Sequence, residues 1–86
     1  MNIEKVKDLV ILYIHCYGVS RSGVGNIAGV KKRILEDIGD ISLFYRAIDE
    51  LKNEKKIRLV PYEEMTAHEK HIFDTENTGG FYQILE

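Results

Sequence analysis

Apolar residues recur every three or four positions through the first part of the chain, which is the spacing of one face of an α-helix. The first such stretch begins at Ile3 and ends at Gly18, a residue type typical of helix C-termini. It is apolar on nearly all sides after Leu9, so we expect this helix in the centre of the core. A second helix is expected to end at Gly39. Ser20 and Ser22 are possible N-caps, but glycines disfavour a helix interior, so the helix is expected to be short or to begin only near Asn26. Its predicted core face comprises Val24, Ile27, Ile34 and Ile38, with Ala28 and Leu35 alongside.

The third helical stretch has the clearest pattern. Asp40 belongs to the residue types that cap helix N-termini. Apolar residues follow it at i, i+3, i+4 and i+7 spacing, namely Phe44, Ala47, Ile48 and Leu51. The opposite face, which we expect to meet water, carries Ser42, Tyr45, Arg46 and Asp49.

From Ile57 the apolar period changes to two, which is typical of β-strands. One strand is predicted over KIRLV, before Pro61, and another over FYQIL near the C-terminus. The intervening residues 63–75 allow two interpretations. Thr66 and Glu69 have the spacing of a capping box that opens a short helix, whereas HIFDT before ENTGG is typical of a hairpin arm. We favour the hairpin, because residues 77–80 have the composition of a turn.

Three helices followed by a two- or three-stranded antiparallel β-wing, in one domain over residues 1–86, predict an α+β fold of the winged-helix class. The stretch FYRAIDELKNEKKIRLV resembles the recognition helix and first wing strand of winged-helix regulators of the PadR and MarR type. In those families an aromatic–Arg–Ala–aliphatic run leads through a leucine into an aliphatic strand. The matching positions here are Tyr45, Arg46, Ala47, Ile48, Leu51 and the strand from Ile57. Outside this stretch only the order of elements agrees, and the wing tip TENTGG carries no Arg or Lys.

This resemblance implies a DNA-binding transcriptional regulator. Its third helix, about residues 41–54, would enter the major groove, and helix 2 would lie against the DNA backbone. Ser42, Tyr45, Arg46 and Asp49 would then face base edges or phosphates. Further phosphate contacts are expected from Lys31, Lys32, Arg33 and Arg21. Two ordinary interpretations remain open: a solvated helix face for the basic run, and an ion pair of Arg46 with Asp49 or Glu50.

Charge is unevenly distributed along the chain, although the net charge is only −2. Residues 1–60 sum to +3 and residues 61–86 to −5, so a basic front and an acidic rear are compatible with docking onto an anion. The same distribution fits a competing hypothesis, a winged-helix protein-interaction module that does not bind DNA. A small inhibitor or accessory protein of a virus, phage or mobile element would be of this kind. If the partner is DNA, specificity calls for a homodimer, which we expect through helix 1 with Tyr13 and Tyr17.

The glycine-rich stretch GVGNIAG is one residue off the dinucleotide-binding fingerprint. That fingerprint requires a parallel strand before the loop, whereas a helix is predicted here. We therefore expect Gly23, Gly25 and Gly29 to loosen the first turn of helix 2 or to let it pack closely on helix 1. Nucleotide binding is not expected.

Metal and catalytic chemistry have little support in the sequence. His68 and His71 would lie one helical turn apart, and only one of His15 and Cys16 could join them. Three ligands are fewer than the four of a structural zinc site. Since no catalytic motif is recognisable either, we expect a protein that is not an enzyme and uses no metal or cofactor.

Membrane and secretory features are also missing from the sequence. The longest apolar run, LVILYIHCY, is nine residues long, whereas about 20 are needed to span a bilayer. The N-terminus MNIEKVKD lacks the pattern of a secretory signal. Cys16, expected to be buried, is the single cysteine and fits a reducing, cytoplasmic compartment.

Overall fold

The computed structural model describes residues 2–76 and 79–85. Within these residues the chain forms four α-helices and a three-stranded antiparallel sheet. The elements, in order, are α1 (Ile3–Cys16), β1 (Val24–Asn26), α2 (Ile27–Ile38), α3 (Ile41–Asn53), β2 (Ile57–Leu59), a 3₁₀ turn (Tyr62–Glu64), α4 (Ala67–Glu76) and β3 (Phe81–Ile84). The predicted α+β class is confirmed, and the arrangement is compatible with a winged helix.

Polar caps set the ends of α2 and α3. Asn26 accepts a hydrogen bond from the Ala28 N–H at 2.9 Å, and Asp40 accepts from the Ser42 and Leu43 N–H groups at 3.0 and 3.3 Å. Gly39 closes α2 with φ +76°, a left-handed conformation that glycine adopts without a steric penalty. The predicted start of helix 2 near Asn26 and the predicted cap at Asp40 are therefore confirmed. Only two residues separate α2 from α3, so the two helices form a tight helix–turn–helix pair.

The sheet has the strand order β1-β3-β2, and both pairings are antiparallel. Successive residues of a strand point to opposite faces of a sheet. Tyr82 and Ile84 accordingly join the main core with α1, α2 and α3, whereas Phe81 lies in a second apolar cluster. The main core contains Val6, Val10, Tyr13, Ile14, Val30, Ile34, Phe44, Ala47, Ile48, Leu51 and Ile57.

The second cluster holds α4 on the face of the sheet opposite to α1–α3. Ile72 and Phe73 of α4 pack against Val24, Val60, Met65 and Phe81. The predicted hairpin over 63–75 is therefore wrong. The antiparallel sheet is confirmed, but β1 and α4 add a strand and a helix to the predicted order of elements. The predicted turn residues Asn77 and Thr78 lie outside the described residues.

The capping box is the local reason that α4 is helical. The Thr66 N–H donates to Oε1 of Glu69 at 3.0 Å, and the Glu69 N–H donates to Oγ1 of Thr66 at 3.1 Å. This reciprocal pair satisfies two backbone donors that a helix start leaves open. Burial of the apolar side of α4 against the sheet then favours the helix over an isolated strand arm.

The glycine stretch forms a strand where none was predicted. Val24 lies in β1 and not in helix 2, and β1 pairs antiparallel with β3, unlike the parallel strand of a dinucleotide-binding unit. A Cβ on Gly25 would lie 2.8 Å from Cα of Ile14, and one on Gly29 would lie 2.6 Å from the ring of Tyr17. Gly29 therefore permits close packing of α2 on the end of α1, as predicted, whereas Gly25 permits close packing of β1 on α1.

Several residues of α1 differ from expectation in their exposure. Cys16 is exposed, because it falls on the outer side of the last turn, so the prediction of a buried thiol is wrong. Tyr13 is buried and Tyr17 is half-buried, which removes most of the aromatic surface predicted for a homodimer. Leu12, 52% exposed, is the large apolar side chain that α1 presents to water. No helix among the described residues is long and apolar enough to cross a bilayer.

Candidate functional site

An open groove lies between α2 and α3 and ends at the start of β3. It has a volume of about 810 Å³. Ala28, Lys31 and Leu35 line its α2 side, Tyr45 and Ile48 its α3 side, and Tyr82 its end at the sheet. We call this groove, together with the outward sides of α2 and α3 that border it, the α2–α3 face.

The α2 side of the groove is a second helical stripe that the sequence analysis missed. Ala28, Lys31, Lys32 and Leu35 follow i, i+3, i+4 and i+7 spacing, so they share one side of α2. Ala28 and Leu35 were expected beside the core, but both are exposed. Ala28 and Leu35 are exposed because Val30 and Ile34 turn toward α1 and α3, which leaves the opposite side of α2 facing water. The i, i+3, i+4 and i+7 spacing of these four residues is the feature of the sequence that could have predicted this stripe.

Lys31 and Tyr45 bring α2 and α3 together at the surface. The ammonium nitrogen of Lys31 lies 5.5 Å from the centre of the Tyr45 ring, within the range of a cation–π contact. The Tyr45 ring packs edge-on against Phe44, yet its side chain is 52% exposed. Lys32 is exposed beside them, and within the described part of the chain its ammonium group has no ion-pair or hydrogen-bond partner. This corner of the α2–α3 face therefore combines two positive charges with an aromatic surface.

Arg46 is held by one side of its guanidinium. Its Nε donates to Oε2 of Glu50 at 2.9 Å, which is one of the two ion pairs that the sequence left open for Arg46. The side chain is nevertheless 62% exposed, and its two Nη groups make no hydrogen bond in the described part of the chain. Asp49 is exposed on the same outward side of α3. Arg46 can therefore present two aligned donors to a ligand while Glu50 orients it.

Ser42 is tied to the cap of α3. Its hydroxyl donates to Oδ1 of Asp40 at 2.7 Å. This bond, with the backbone donors of Leu43 and Ser42, lowers the pKa of Asp40 below its usual value. Ser42 therefore has its hydroxyl proton committed and is left with acceptor capacity toward a ligand.

Arg33, predicted as a phosphate contact, lies on the side of α2 that meets α1. Its guanidinium carbon is 5.0 Å from the Tyr13 ring centre, and its Nε is 3.6 Å from Oδ1 of Asp37. The Tyr13 hydroxyl donates to Asp37 in turn, and this bond raises the pKa of Tyr13. These contacts join α1 to α2, so the structure does not bring Arg33 together with Lys31 and Lys32.

Arg21 lies on the α4 side of the sheet, far from its expected partners in a phosphate-binding set. Its Nη2 and Nε donate to the two carboxylate oxygens of Glu69 at 3.0 and 3.1 Å, and Nη2 also donates to the Glu64 carbonyl at 3.2 Å. The Ser20 hydroxyl adds a further bond to Glu69 at 3.2 Å. The α1–β1 loop is thereby fastened to the start of α4.

Glu69 is the buried centre of this fastening. It has no exposed surface, and burial by itself raises its pKa. The hydrogen bonds from Arg21, the Thr66 N–H and Ser20 outweigh burial, so the pKa of Glu69 lies below its usual value. Glu69 is therefore ionised at neutral pH and matched by a bidentate guanidinium. Arg58 is similarly occupied, by Glu64 and Gln83.

The histidines are not gathered into a site. His68 and His71 are exposed on α4, and His15 is exposed on α1. Across residues 2–76 and 79–85, no group of three or more His, Cys, Asp or Glu side chains is placed to hold a metal ion.

The chain was compared with known proteins at three levels. No protein-family model matches it, and no curated protein or solved structure does so either.

Proposed function

We propose that the chain binds duplex DNA through the α2–α3 face, with the outward side of α3 toward the major groove and α2 along the backbone. Two features support this proposal. The order of helices and strands is compatible with a winged helix, in which the helix corresponding to α3 reads bases. In addition, α4 packs on the other face of the sheet, and no hydrogen bond or ion pair joins it to α3 in the described chain. The α2–α3 face is thus open to an outside ligand.

The proposal rests mainly on Lys31 and Lys32, which have no carboxylate partner in the described chain. Arg21, Arg33 and Arg58 are each matched by a carboxylate of the fold, whereas these two lysines are not. Lys5 and Lys70 also have no carboxylate partner in the described chain, but Lys31 and Lys32 differ from them in lying side by side along the groove. A surface lysine without an internal partner can release counterions from DNA by contacting phosphates. Its position beside the exposed Tyr45 supplies a neighbouring group for the sugar or base edge.

Distinct roles follow for the side chains of α3. The two Nη groups of Arg46 can pair bidentately with a guanine, and the Asp49 carboxylate can accept from the amino group of a cytosine. Ser42 and Tyr45 are placed to contact phosphates or base edges. The segment between β2 and β3, which would be a wing, contains α4 and several acidic residues, so we propose no DNA contact for it. Arg21 and Arg33 are assigned to the fold.

The test is a fluorescence-anisotropy titration with a random duplex at several salt concentrations. We expect a dissociation constant on the order of 10⁻⁵ M that weakens steeply as salt rises. The double variant Lys31→Gln/Lys32→Gln is expected to reduce the slope of log affinity against log salt by about 2. The matched control, Lys5→Gln/Lys70→Gln, removes the same charge from α1 and α4 and should leave that slope unchanged.

The same titration distinguishes DNA binding from the competing hypothesis of a protein-interaction module. Salt-insensitive or absent binding by the wild-type chain would favour a protein-interaction module and refute the proposal. Equal losses in the two double variants would mean that only net charge matters, which would refute the assignment to the α2–α3 face.

A further inference from the structure

The apolar part of the groove is more than a DNA contact surface requires. Leu35 is 37% exposed, and the half-buried Tyr82 continues the apolar lining toward the sheet. Phosphates and base edges are recognised chiefly by polar and charged groups. Exposing a concave apolar surface to water is unfavourable in free energy. Such a surface is therefore typical of a site that binds another apolar group.

The shape of the groove matches a short helix. Its α2 wall extends over residues 27–36, or about 14 Å at the helical rise per residue. Such a length accommodates two to three turns of a partner helix, whose i, i+3, i+4 and i+7 side chains would enter between α2 and α3. The volume of about 810 Å³ is large enough for several aliphatic side chains.

The charge of the rim selects the kind of partner. Lys31 and Lys32 stand on the α2 rim with no carboxylate partner in the described chain, and Glu36 follows one turn later. An acidic side chain near the two lysines would therefore gain a favourable contact, and a basic one would be repelled. The aromatic ring of Tyr45 borders the same position.

We infer that the α2–α3 groove binds an acidic amphipathic helix of a partner protein. The bound helix would cover Lys31, Lys32 and Tyr45, so it would exclude duplex DNA from the same face. This exclusion rests on the proposed DNA-binding function, whereas the docking itself does not. The chain would then be a binder whose access to DNA is controlled by a helical partner.

The first experiment uses a synthetic amphipathic helix of about fourteen residues, with leucines at i, i+3, i+4 and i+7 and glutamates beside them. Added to the ¹⁵N-labelled protein, it should shift the amide signals of residues 27–36 and 79–82, with a dissociation constant below about 100 µM. The same peptide with lysines for glutamates should bind at least about fivefold more weakly. No binding, shifts outside this region or equal binding of the two peptides would overturn the inference.

A pair of leucine variants locates the site. Leu35→Gln, which removes an exposed apolar side chain of the groove, should weaken peptide binding about fivefold. Leu12→Gln makes the same change on α1 and should have no effect. Equal effects of the two variants would overturn the assignment, as would concentration-dependent shifts of the same signals without peptide, which would identify a second copy as the occupant. Preserved amide spectra of both variants show that each is folded.

The competition arm separates the two proposals. The acidic peptide should displace a fluorescent duplex from the protein, and it should do so equally well from the Leu12→Gln variant. Peptide binding without displacement would overturn the exclusion and leave the docking site. If the wild-type protein binds no DNA, the proposed function fails, and the peptide titration still decides the docking inference.

Discussion

The α2–α3 face and the α4 side of the sheet use basic residues in opposite ways. On the α4 side two arginines meet carboxylates of the fold: Arg21 binds the buried Glu69, and Arg58 binds Glu64. On the α2–α3 face Lys31 lies over the Tyr45 ring and Lys32 is exposed, and neither has a carboxylate partner in the described chain. The first arrangement fastens a loop and a helix to the sheet, and the second leaves charge available to an outside ligand.

A basic residue therefore indicates a binding site only when the groups around it in the fold are known. Arg21 and Lys32 contribute equally to net charge, yet one is a structural group and the other a candidate contact. Burial makes the difference, because a carboxylate withdrawn from water must be matched by a cation and hydrogen bonds. Glu69 imposes that requirement on Arg21, whereas the acidic groups near Lys32 remain solvated.

Removing the buried carboxylate should have the largest effect. Glu69→Gln is expected to lower the free energy of unfolding by about 2 kcal/mol, because it leaves Arg21 without its counter-charge. This value is below the roughly 3–5 kcal/mol typical of a fully buried pair, since Arg21 is 36% exposed. Glu36→Gln on the α2–α3 face should change the free energy by less than about 0.5 kcal/mol. Urea unfolding measures both, and similar losses would erase the contrast between the two regions.

The effect of Glu69→Gln should depend on pH. The pKa of Glu69 is lower in the folded chain than its ordinary value of 4.5, so its ionised form stabilises the fold above that pH. This contribution declines as the pH falls through the folded pKa. The difference in unfolding free energy between wild type and variant should therefore be greatest near pH 7 and shrink in acid. A difference that is constant from pH 7 to about pH 3 would show that Glu69 acts by packing alone.

Arg21→Gln and Lys32→Gln should have opposite consequences. Loss of Arg21 leaves the buried Glu69 carboxylate without its cation, so it is expected to cost about 2 kcal/mol of stability and to change DNA affinity by less than about twofold. Loss of Lys32 should leave stability within about 0.5 kcal/mol and weaken DNA binding about threefold at low salt. Urea unfolding and anisotropy on the same two proteins make the test. A clear loss of DNA binding by a folded Arg21→Gln protein would return Arg21 to the predicted binding set.

Arg46 lies between the two extremes and should have only a small effect on stability. Its exposed pair with Glu50 contributes about 0.3–0.5 kcal/mol, typical of an i, i+4 pair. Arg46→Gln should therefore barely change the unfolding midpoint, yet it should reduce discrimination between a preferred duplex and a random one. Glu50→Gln is the informative companion, because it frees Arg46 without removing it. If both variants leave DNA discrimination unchanged, Arg46 is not a base contact.

Local pattern predicted much of the fold. The apolar spacing of α1 and α3, the end of α2 at Gly39, the Asp40 cap and the alternation in β2 and β3 depend on residues close together in the chain, and the structure agrees with them. The hairpin over 63–75 failed because a capping box and a turn signal competed locally. The decisive contribution, packing of Ile72 and Phe73 on Val24 and Phe81, comes from residues far apart in the chain.

The candidate site was only partly predictable for the same reason. Sequence spacing placed Ser42, Tyr45, Arg46 and Asp49 on one outward side of α3, because helical geometry relates residues within two turns. It could not distinguish Arg21 from Lys32, since the carboxylate that occupies Arg21 lies 48 residues away. The groove was hidden in the same manner, because its two walls come from different helices and its end from β3.

By itself, then, the sequence determined that α1, α2 and α3 are helical, that α2 ends at Gly39 and α3 begins after Asp40, and which side of α3 faces water. Only the tertiary structure decided which charges are left unmatched and where the two helices form a concave surface. The physical reason is range. Caps and helical faces depend on neighbours a few residues apart, whereas the pairing of a charge depends on whichever group the folded chain places beside it.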